Sequence, residues 1–327
     1  MRLALKIVGT LLILAVLTVS AVIAYVAFAL PDVGEPEDLQ IEYTAERIER
    51  GRYLAHSTTV CMDCHSTRDW TKFSGPIAPG TLGMGGERFD QTVGMPGVFY
   101  ARNITPAGIA RYTDGELFRV ITSGVTKEGR AMFPLMPYPY YGRMDPEDIY
   151  SIIAYLRTLE PIENAVPESK ADFPVNLIIN TIPQRPSFSK KPNPSDQIAY
   201  GKYLVNAAAC VECHTPAENG QIVAGLEFGG GRDFRFPDGS VVRSSNITPH
   251  PTSGIGTWTL ENFLARFRQY SDSTYVSRDV PAGEFNTLMP WTMYAQMTDE
   301  DLSAIYAYLR TVPAIDNTVT VWTPGGK

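Results

Sequence analysis

The chain contains the segment Cys61-Met62-Asp63-Cys64-His65 and repeats its pattern at Cys210-Val211-Glu212-Cys213-His214. Both segments follow Cys-x-x-Cys-His, and together they hold all 4 cysteines of the 327-residue sequence. If each segment is helical, the two thiols lie about one turn apart and the imidazole follows directly. No thiol remains for a disulfide with another part of the chain. The fold is therefore expected to form around these two segments.

This order of residue types fits the covalent attachment of a c-type haem. Two thiols on one helical turn add to the two vinyl groups, and the following imidazole reaches the iron as the proximal ligand. The sequence thus predicts two covalently attached haem c groups. The predicted haem-binding residues are Cys61, Cys64 and His65 in the first copy, and Cys210, Cys213 and His214 in the second.

Other chemistries also use Cys-x-x-Cys pairs. A redox-active dithiol needs only the two thiols of one pair, and a zinc site with four thiolates would combine both pairs. Neither explains a histidine directly after each pair. The zinc site would also require two distant segments to converge. Haem attachment accounts for all residues of the pattern.

The second half of the chain repeats further features of the first half in the same order. The matching positions, first copy and then second, are 48–54 and 198–204, 103–106 and 246–249, 108–112 and 254–258, 135–137 and 288–290, and 154–158 and 307–311. Among them are an Asn-Ile-Thr-Pro sequence and a Leu-Met-Pro sequence. Repeated features in unchanged order predict two copies of one fold, each too large for a solenoid unit.

Residues 7–30 form an apolar run without charge, which is long enough to span a bilayer as a helix. Arg2 and Lys6 precede this run and Asp32 follows it, so the positive-inside rule predicts a cytoplasmic N-terminus. A cleaved signal peptide is the alternative, because Ala27-Phe28-Ala29 offers a small-x-small site. The apolar core of a signal peptide is shorter, at about 7–15 residues. The sequence favours an uncleaved anchor in contact with membrane lipid.

The predicted fold class is mainly α, with two tandem domains after one transmembrane helix. We expect the anchor at 1–30, the first domain at 31–160, a linker at 161–195 and the second domain at 196–327. The stretch from 160 to 195 contains 7 prolines and little periodicity, which favours a linker. The net charge is −7 without a basic cluster, so a nucleic-acid partner is not expected.

Helices are predicted at 46–55, 114–122 and 146–158 from the spacing of their apolar residues. Glycines at 83–86 favour irregular backbone close to a flat group. The proline-rich stretch 133–139 is not expected to be helical. Residues 31–45 are expected to form a polar tether between the anchor and the first helix.

Two methionine pairs are duplicated and could supply the second axial ligand of each iron. Met144 and Met297 precede the helix caps Asp145 and Thr298, so a hydrophobic staple onto the following helix explains them. Met136 and Met289 lie in Leu-Met-Pro sequences, where no such explanation applies. We therefore predict that these two residues bind iron together with His65 and His214.

The two remaining histidines are weaker candidates for iron ligands. Neither His56 nor His250 has a histidine at the matching position of the other copy. A ligand that serves both sites should be duplicated. His/Met coordination raises the reduction potential and fills the sixth position of the iron.

The haem motifs, the Asn-Ile-Thr-Pro and Leu-Met-Pro sequences and the closing Tyr-Leu helix together resemble class I cytochrome c domains. The chain is similar to the multihaem cytochrome c subunits of bacterial membrane-bound alcohol, aldehyde and gluconate dehydrogenases, over about 45–160 and 195–313. In that family His65 and His214 match the proximal ligands, and Met136 and Met289 the distal ones. The resemblance implies extracytoplasmic haem domains, although those subunits resemble triple-haem proteins and this chain has two motifs.

The expected function is that of a dihaem cytochrome c, anchored by a single span and exposed on the periplasmic side of the inner membrane. It would relay single electrons between redox partner proteins of a respiratory chain, as a non-catalytic subunit of a larger complex. One alternative is the dihaem subunit of a cb-type terminal oxidase, which differs in its partner. Another is a dihaem cytochrome c peroxidase, an enzyme that needs one accessible iron and hence two unlike halves.

Overall fold

The computed structural model describes residues 1–218, 220–271 and 274–325 and is mainly helical, as predicted. It begins with α1 (Arg2–Phe28), which has no buried residue. Within the described ranges α1 is the one helix long and apolar enough to cross a membrane. The prediction of a single N-terminal apolar helix is thereby confirmed.

The remaining helices fall into two similar sets. The first repeat, residues 45–158, contains α2 (Ala45–Tyr53), a π-helical turn (Leu54–Thr58), α3 (Cys61–Cys64), α4 (Pro106–Ile109), α5 (Asp114–Ser123), α6 (Tyr138–Tyr141) and α7 (Pro146–Arg157). Between the repeats lies α8 (Val175–Ile178). The second repeat, residues 197–311, contains α9 (Gln197–Ala207), α10 (Cys210–Cys213), α11 (Leu260–Arg268), α12 (Trp291–Tyr294) and α13 (Asp299–Leu309). Short 3₁₀ turns occur at Gln91–Val93 and Ile179–Thr181.

Short antiparallel strands flank the helices. They are β1 (Arg88–Phe89), β2 (Gly97–Tyr100), β3 (Lys170–Ala171), β4 (Ala217–Glu218), β5 (Gln221–Ile222), β6 (Asp233–Arg235), β7 (Val241–Arg243) and β8 (Trp322–Thr323). The sheets have the orders β1-β2-β3, β4-β5 and β6-β7-β8. In each repeat the chain beyond the last long helix returns to add a strand: Gly97 lies opposite Ala171, and Val241 opposite Thr323. The start of the predicted linker therefore completes a sheet with the first repeat.

Each repeat is built on a close crossing of its first and last long helices, α2 with α7 and α9 with α13. Gly51 and Gly201 lie at these crossings, where a Cβ atom would come within 1.8 Å of the Ser151 carbonyl oxygen and 1.9 Å of that of Ala304. Only glycine allows the two backbones to approach this closely. The duplicated Gly-x-Tyr-Leu pattern thus marks the helix crossing.

One extra residue distinguishes the approach to the first haem motif. The first copy has one residue more than the second between the repeated Tyr-Leu and the first cysteine. The π-helical turn absorbs it: the Thr59 amide donates to the Leu54 carbonyl at 2.8 Å, five residues back, whereas Ala208 donates to Leu204, four back, at 2.8 Å. The predicted helix 46–55 therefore ends as an α-helix at Tyr53.

Two further expectations differ from the structure. The stretch 133–139 is not wholly non-helical, since α6 begins at Tyr138 and holds Pro139 in its first turn, where the missing N–H costs nothing. The predicted tether is not free, because Glu37 packs its backbone against Gly115 and the Ile41 amide donates to the Asp114 carboxylate at 3.2 Å. The segment after α1 is therefore part of the first repeat's surface.

The two repeats hold each other through a reciprocal pair of hydrogen bonds. The Tyr53 hydroxyl donates to Asp301 at 2.5 Å, and the Tyr203 hydroxyl donates to Asp148 at 2.8 Å. Each tyrosine belongs to the repeated Tyr-Leu sequence, and each aspartate lies in the first turn of the other repeat's last helix. Equivalent residues thus cross the interface in both directions.

The first of these aspartates is also held by a cation. Arg50 donates to both carboxylate oxygens of Asp148, at 3.0 and 2.8 Å. Burial by itself would raise the pKa of Asp148, but the hydrogen bonds and charge of Arg50 lower it below the ordinary value of 3.8. Burial, reinforced by the charge of Asp301, raises the pKa of Tyr53 to about 12, so this tyrosine remains a donor at physiological pH.

We expect Gly201→Ala to lower the free energy of unfolding by about 3 kcal/mol, the upper end of the usual cost of overpacking. The new methyl group would be forced against the Ala304 carbonyl. The measurement is the midpoint of urea unfolding followed by circular dichroism. Lys202→Ala, at an exposed neighbouring position of α9, is the control and should leave the midpoint nearly unchanged.

Asp148→Asn should lower the free energy of unfolding at neutral pH by about 3 kcal/mol, since it leaves Arg50 half-buried without its counter-charge. Because the pKa of Asp148 is depressed in the folded state, its stabilisation is fully present above 3.8 and is lost as the pH falls through the folded-state value. Urea midpoints measured between neutral pH and strong acid should therefore fall less steeply for the variant than for the wild type. The exposed Glu160→Gln is the control, and equal acid slopes for all three proteins would contradict this role of Asp148.

Candidate haem sites

The two haem motifs form one-turn helices, α3 and α10, that begin in the same unusual way. The residue before each helix has left-handed backbone, with φ of 44° at Val60 and 48° at Ala209. For β-branched valine this conformation is strained and persists only where the surroundings impose it. Both motifs are thus presented in one geometry despite the extra residue in the first repeat.

A tyrosine from the distal side of each repeat holds the backbone just before this residue. The Tyr141 hydroxyl donates to the Thr59 carbonyl at 3.0 Å, and the Tyr294 hydroxyl donates to the Ala208 carbonyl at 3.1 Å. Each tyrosine lies in the short helix that follows a Leu-Met-Pro sequence. The proximal motif and the loop of the predicted distal ligand are therefore tied together in both repeats.

The four motif cysteines differ in their exposure to solvent. Cys61, Cys64 and Cys210 are half-buried, Cys213 is exposed, and all four are free. Burial raises the pKa of Cys64 to about 12, so a redox-active thiolate is disfavoured here. Within the described part of the chain, no group of three or more His, Cys, Asp or Glu residues could hold a metal ion.

Both histidines are oriented by a backbone carbonyl. His65 Nδ1 lies 2.7 Å from the Arg102 oxygen, and His214 Nδ1 lies 2.7 Å from the Ser245 oxygen. Since a carbonyl can only accept, Nδ1 carries the hydrogen and Nε2 keeps its lone pair. Burial lowers the pKa of both imidazoles, which keeps Nε2 unprotonated. This tautomer is the one that binds iron through Nε2.

The carbonyls that orient the histidines are positioned by the repeated Asn-Ile-Thr-Pro sequence. Asn103 donates through Nδ2 to the Ile162 carbonyl at 2.8 Å, and Asn246 donates to the Ile315 carbonyl at 2.7 Å. The Asn103 side-chain oxygen accepts from the Thr105 amide at 2.9 Å. The asparagine thus ties the backbone next to the histidine to the segment after the last helix.

A glycine closes each motif from the other side. The Gly85 amide donates to the His65 carbonyl at 2.8 Å, and Gly230 donates to that of His214 at 2.8 Å. Gly85 has a φ of +69°, and a Cβ atom there would come within 2.5 Å of the Arg102 backbone. The glycine run at 83–86 therefore permits a close backbone approach, as its composition indicates.

Met136 and Met289 occupy equivalent loops just before α6 and α12. The carbonyl of Met136 accepts from the Tyr138 amide at 2.7 Å, and that of Met289 from the Trp291 amide at 2.8 Å. Both side chains are half-buried at the edge of the core. They therefore retain surface that can contact a bound group.

The other methionine pair lies in the core itself. Met144 is 0% and Met297 2% exposed, and both belong to the buried cluster that contains Ile149 and Leu302. The Asp145 side chain accepts from the Glu147 amide at 3.0 Å and caps α7, as the staple interpretation requires. Packing in the core explains both side chains, so the buried pair fits a structural role.

The two additional histidines have protein partners. His56 Nε2 lies 2.7 Å from the Tyr155 hydroxyl, and the two rings meet edge to face at 5.6 Å. His250 Nδ1 lies 2.8 Å from the Ser253 hydroxyl. Neither arrangement recurs in the other repeat.

The segments around Met136 and Met289 each contact the opposite repeat, which the sequence did not predict. The Tyr140 hydroxyl donates to Glu212, inside the second haem motif, at 3.0 Å, and Asn206 donates to the Tyr140 carbonyl at 2.9 Å. In the other direction the Ser74 hydroxyl donates to the Met289 carbonyl at 2.6 Å. No spacing in the sequence indicates these contacts, because they depend on how the repeats dock.

The charges around the two motifs differ. Arg68, almost fully buried, donates to Asp63 at 2.9 Å and to Glu87 at 3.2 Å. At the second motif the pair of Arg232 and Glu212, 3.2 Å apart, is more exposed to solvent. The charges near the first site are therefore less screened by water.

Comparison with known proteins places this geometry in a family. Residues 198–313 match the Cytochrome c family. The chain is 30% identical over 288 residues to the fructose dehydrogenase cytochrome subunit of Gluconobacter japonicus, covering 82% of this chain and 53% of that protein. It is 25% identical to the alcohol dehydrogenase (quinone) cytochrome c subunit of Gluconacetobacter polyoxogenes, covering 82% and 56%. It is also 29% identical to a diheme cytochrome c-type protein of Cereibacter sphaeroides, covering 78% and 83%.

Residues 198–313 therefore form a cytochrome c domain, and the chain resembles cytochrome c subunits over most of its length. Its relatives include cytochrome subunits of dehydrogenases, which confirms the resemblance seen in the sequence and the association with electron transport. The chain spans about half the length of the dehydrogenase subunits it matches, at 53% and 56%.

The methionine assignment leads to a direct test in the haem-loaded protein. Met136→Ala should abolish the weak far-red methionine–iron absorption of one haem and lower its reduction potential, because the thioether favours reduced iron. The haem should stay attached through the cysteines. Met144→Ala should leave the spectrum unchanged and cost about 2–5 kcal/mol of stability, the range for a fully buried methionine.

The equivalent variants of the second repeat, Met289→Ala and Met297→Ala, serve as an internal replicate. Loss of the far-red band in Met144→Ala with its retention in Met136→Ala would show that the core methionine is the ligand.

Proposed function

We propose that this chain is a membrane-anchored dihaem cytochrome c that relays single electrons between redox partner proteins. The observation that carries the proposal is the identical setting of His65 and His214, each held at Nδ1 by a backbone carbonyl at 2.7 Å. The family match covers the second repeat, residues 198–313. The matching hydrogen bond of His65 supports the same haem chemistry in the first repeat.

Under this proposal the chain consists of two tandem cytochrome c domains, at 31–160 and 196–327, each carrying one covalently attached haem c. The pairing of β3 with β2 supports a first domain that takes in the beginning of the linker, 161–195. A relative named as a diheme cytochrome c-type protein, from Cereibacter sphaeroides, supports the number of haems. The haem, when bound, supplies one-electron redox chemistry.

The residues of the chain control the haem environment. Cys61, Cys64, Cys210 and Cys213 hold the two groups covalently, His65 and His214 bind the irons, and Met136 and Met289 provide the sixth ligands. Because the two methionine loops are alike, both irons would be closed to small molecules. This equality supports an electron carrier over a peroxidase, which needs two unlike halves.

Membrane attachment is supported by α1, whose side chains are exposed along its length. Arg2 and Lys6 at its start and Asp32 after its end favour a cytoplasmic N-terminus. The haem domains would then lie on the periplasmic side of the inner membrane as part of a single-span protein. Covalent haem attachment outside the cytoplasm agrees with this orientation.

The relatives' names indicate the class of partner. Two of the matched proteins are cytochrome subunits of a fructose dehydrogenase and an alcohol dehydrogenase. We propose that a periplasmic dehydrogenase donates electrons to this chain and that a respiratory-chain component accepts them. A cb-type oxidase partner would change the acceptor but not the role of the haems.

The spectroscopic test uses the protein purified from membranes of a strain that attaches haem. Haem quantification should give two c-type haems per chain, and both should be low-spin and six-coordinate in the oxidised state. A high-spin signal from half of the haem together with hydrogen peroxide turnover would identify a peroxidase instead.

The partner is tested by mild solubilisation of native membranes and identification of what co-purifies. A dehydrogenase subunit supports the proposal, whereas oxidase subunits alone would assign the chain to a terminal oxidase.

His214→Gly is a suitable control in the spectroscopic experiment, since it removes one proximal ligand and should convert only half of the haem to a high-spin form.

A further inference from the structure

A short uncharged segment between the repeats lies beside the end of α1. Residues 173–184 carry no charge and include α8 and the following 3₁₀ turn. Phe173 is 79% and Ile178 51% exposed, although both are apolar. Phe28, the last residue of α1, is 90% exposed. Large apolar side chains are therefore exposed on both elements.

A hydrogen bond joins this segment to the last turn of α1. Asn180 donates through Nδ2 to the Val26 carbonyl at 3.1 Å. Val26 lies in the last turn of α1, where backbone carbonyls lack a partner within the helix. The segment is therefore held within one helical turn of the point where the apolar run ends.

The same segment is firmly joined to the first repeat. Its start follows directly on β3, which pairs with β2. The Asp172 amide donates to the Pro96 carbonyl at 2.9 Å, and Gln91 donates to the Asp172 carboxylate at 2.7 Å. Residues 173–182 are thus connected to the first repeat through β3 and these hydrogen bonds.

We propose that residues 173–182 form a second membrane contact, in which Phe173 and Ile178 enter the boundary between lipid headgroups and acyl chains beside α1. The inference rests on the proposed membrane-spanning role of α1. Continuity with that helix identifies lipid as the occupant, since a bilayer that surrounds Phe28 also reaches the segment tied to Val26. Binding would depend on apolar area and not on charge.

The consequence is a defined orientation of the first repeat. One helix alone lets an attached domain rotate about the membrane normal and tilt. A second contact, fixed through β3 to the first repeat, restricts that tilt. The exposed faces of the haem domains are thereby presented to partners at one height above the bilayer.

The test places a spin label at Ile178→Cys in the full-length, haem-loaded chain, reconstituted into phosphatidylethanolamine–phosphatidylglycerol vesicles. With all four native cysteines in thioether bonds, the new thiol is the only one that reacts with the label. Collisions with oxygen, which concentrates in lipid, are compared with those of a water-soluble nickel chelate. We expect the ratio of oxygen collisions to nickel-chelate collisions to be at least a few-fold higher at Ile178→Cys than at the control position.

The matched control is Val276→Cys, an apolar residue that is 78% exposed in the second repeat. Its label should collide chiefly with the nickel chelate. Equal nickel accessibility at the two positions would overturn the proposal, and so would a label at Ile178→Cys shielded from both reagents. A label at Val16→Cys in α1 separates the two hypotheses. Oxygen access there with nickel access at Ile178→Cys rejects the second contact alone, whereas nickel access at both rejects the membrane anchor as well.

Discussion

The hydrogen bond from each motif histidine to a backbone carbonyl is the interaction on which the rest of the site depends. It selects the tautomer that leaves Nε2 free, and it requires the carbonyls of Arg102 and Ser245 to stand at one distance in both repeats. Three other features support this arrangement. They are the hydrogen bonds of Asn103 and Asn246, the close backbone approach at the glycines, and the left-handed residues before α3 and α10. Each is costly or unusual alone, and each recurs at the equivalent position.

The docking of the repeats is the second constraint. Tyr53 and Tyr203 exchange hydrogen bonds with aspartates of the opposite repeat. The distal loops cross the same interface, through Tyr140 to Glu212 and through Ser74 to the carbonyl of Met289. In an electron carrier with two haems, a rigid interface keeps their separation constant. Reciprocal polar contacts between buried groups suit this purpose, because they specify one orientation.

The repeats are similar in backbone but unlike in electrostatics. The first motif adjoins the buried cluster of Asp63, Arg68 and Glu87, whereas the second adjoins a more exposed ion pair. Charges in a poorly solvated setting act more strongly on a nearby redox group than screened charges do. Under the proposed His/Met coordination, this difference in charge would give the two haems different reduction potentials and would favour electron transfer in one direction.

Much of this protein could be predicted from its sequence because the determining signals are local. The Cys-x-x-Cys-His motifs, the helix caps at Asp145 and Thr298 and the apolar run of α1 each depend on residues close in the chain. The choice of Met136 over Met144 as the iron ligand also rests on local caps, and it stays a prediction. Misjudged stretches, such as 31–45 and 133–139, are those whose conformation depends on packing.

The sequence by itself determined the local chemistry: it contains two Cys-x-x-Cys-His motifs of the type that fits haem attachment, and one segment apolar enough for a membrane. Only the tertiary structure decided which backbone carbonyl orients each histidine, how the extra residue before Cys61 is absorbed as a π-helical turn, and which tyrosine meets which aspartate. These contacts join residues as distant as Tyr53 and Asp301. Motif chemistry is encoded by spacing along the chain, whereas such contacts exist only once the helices have packed.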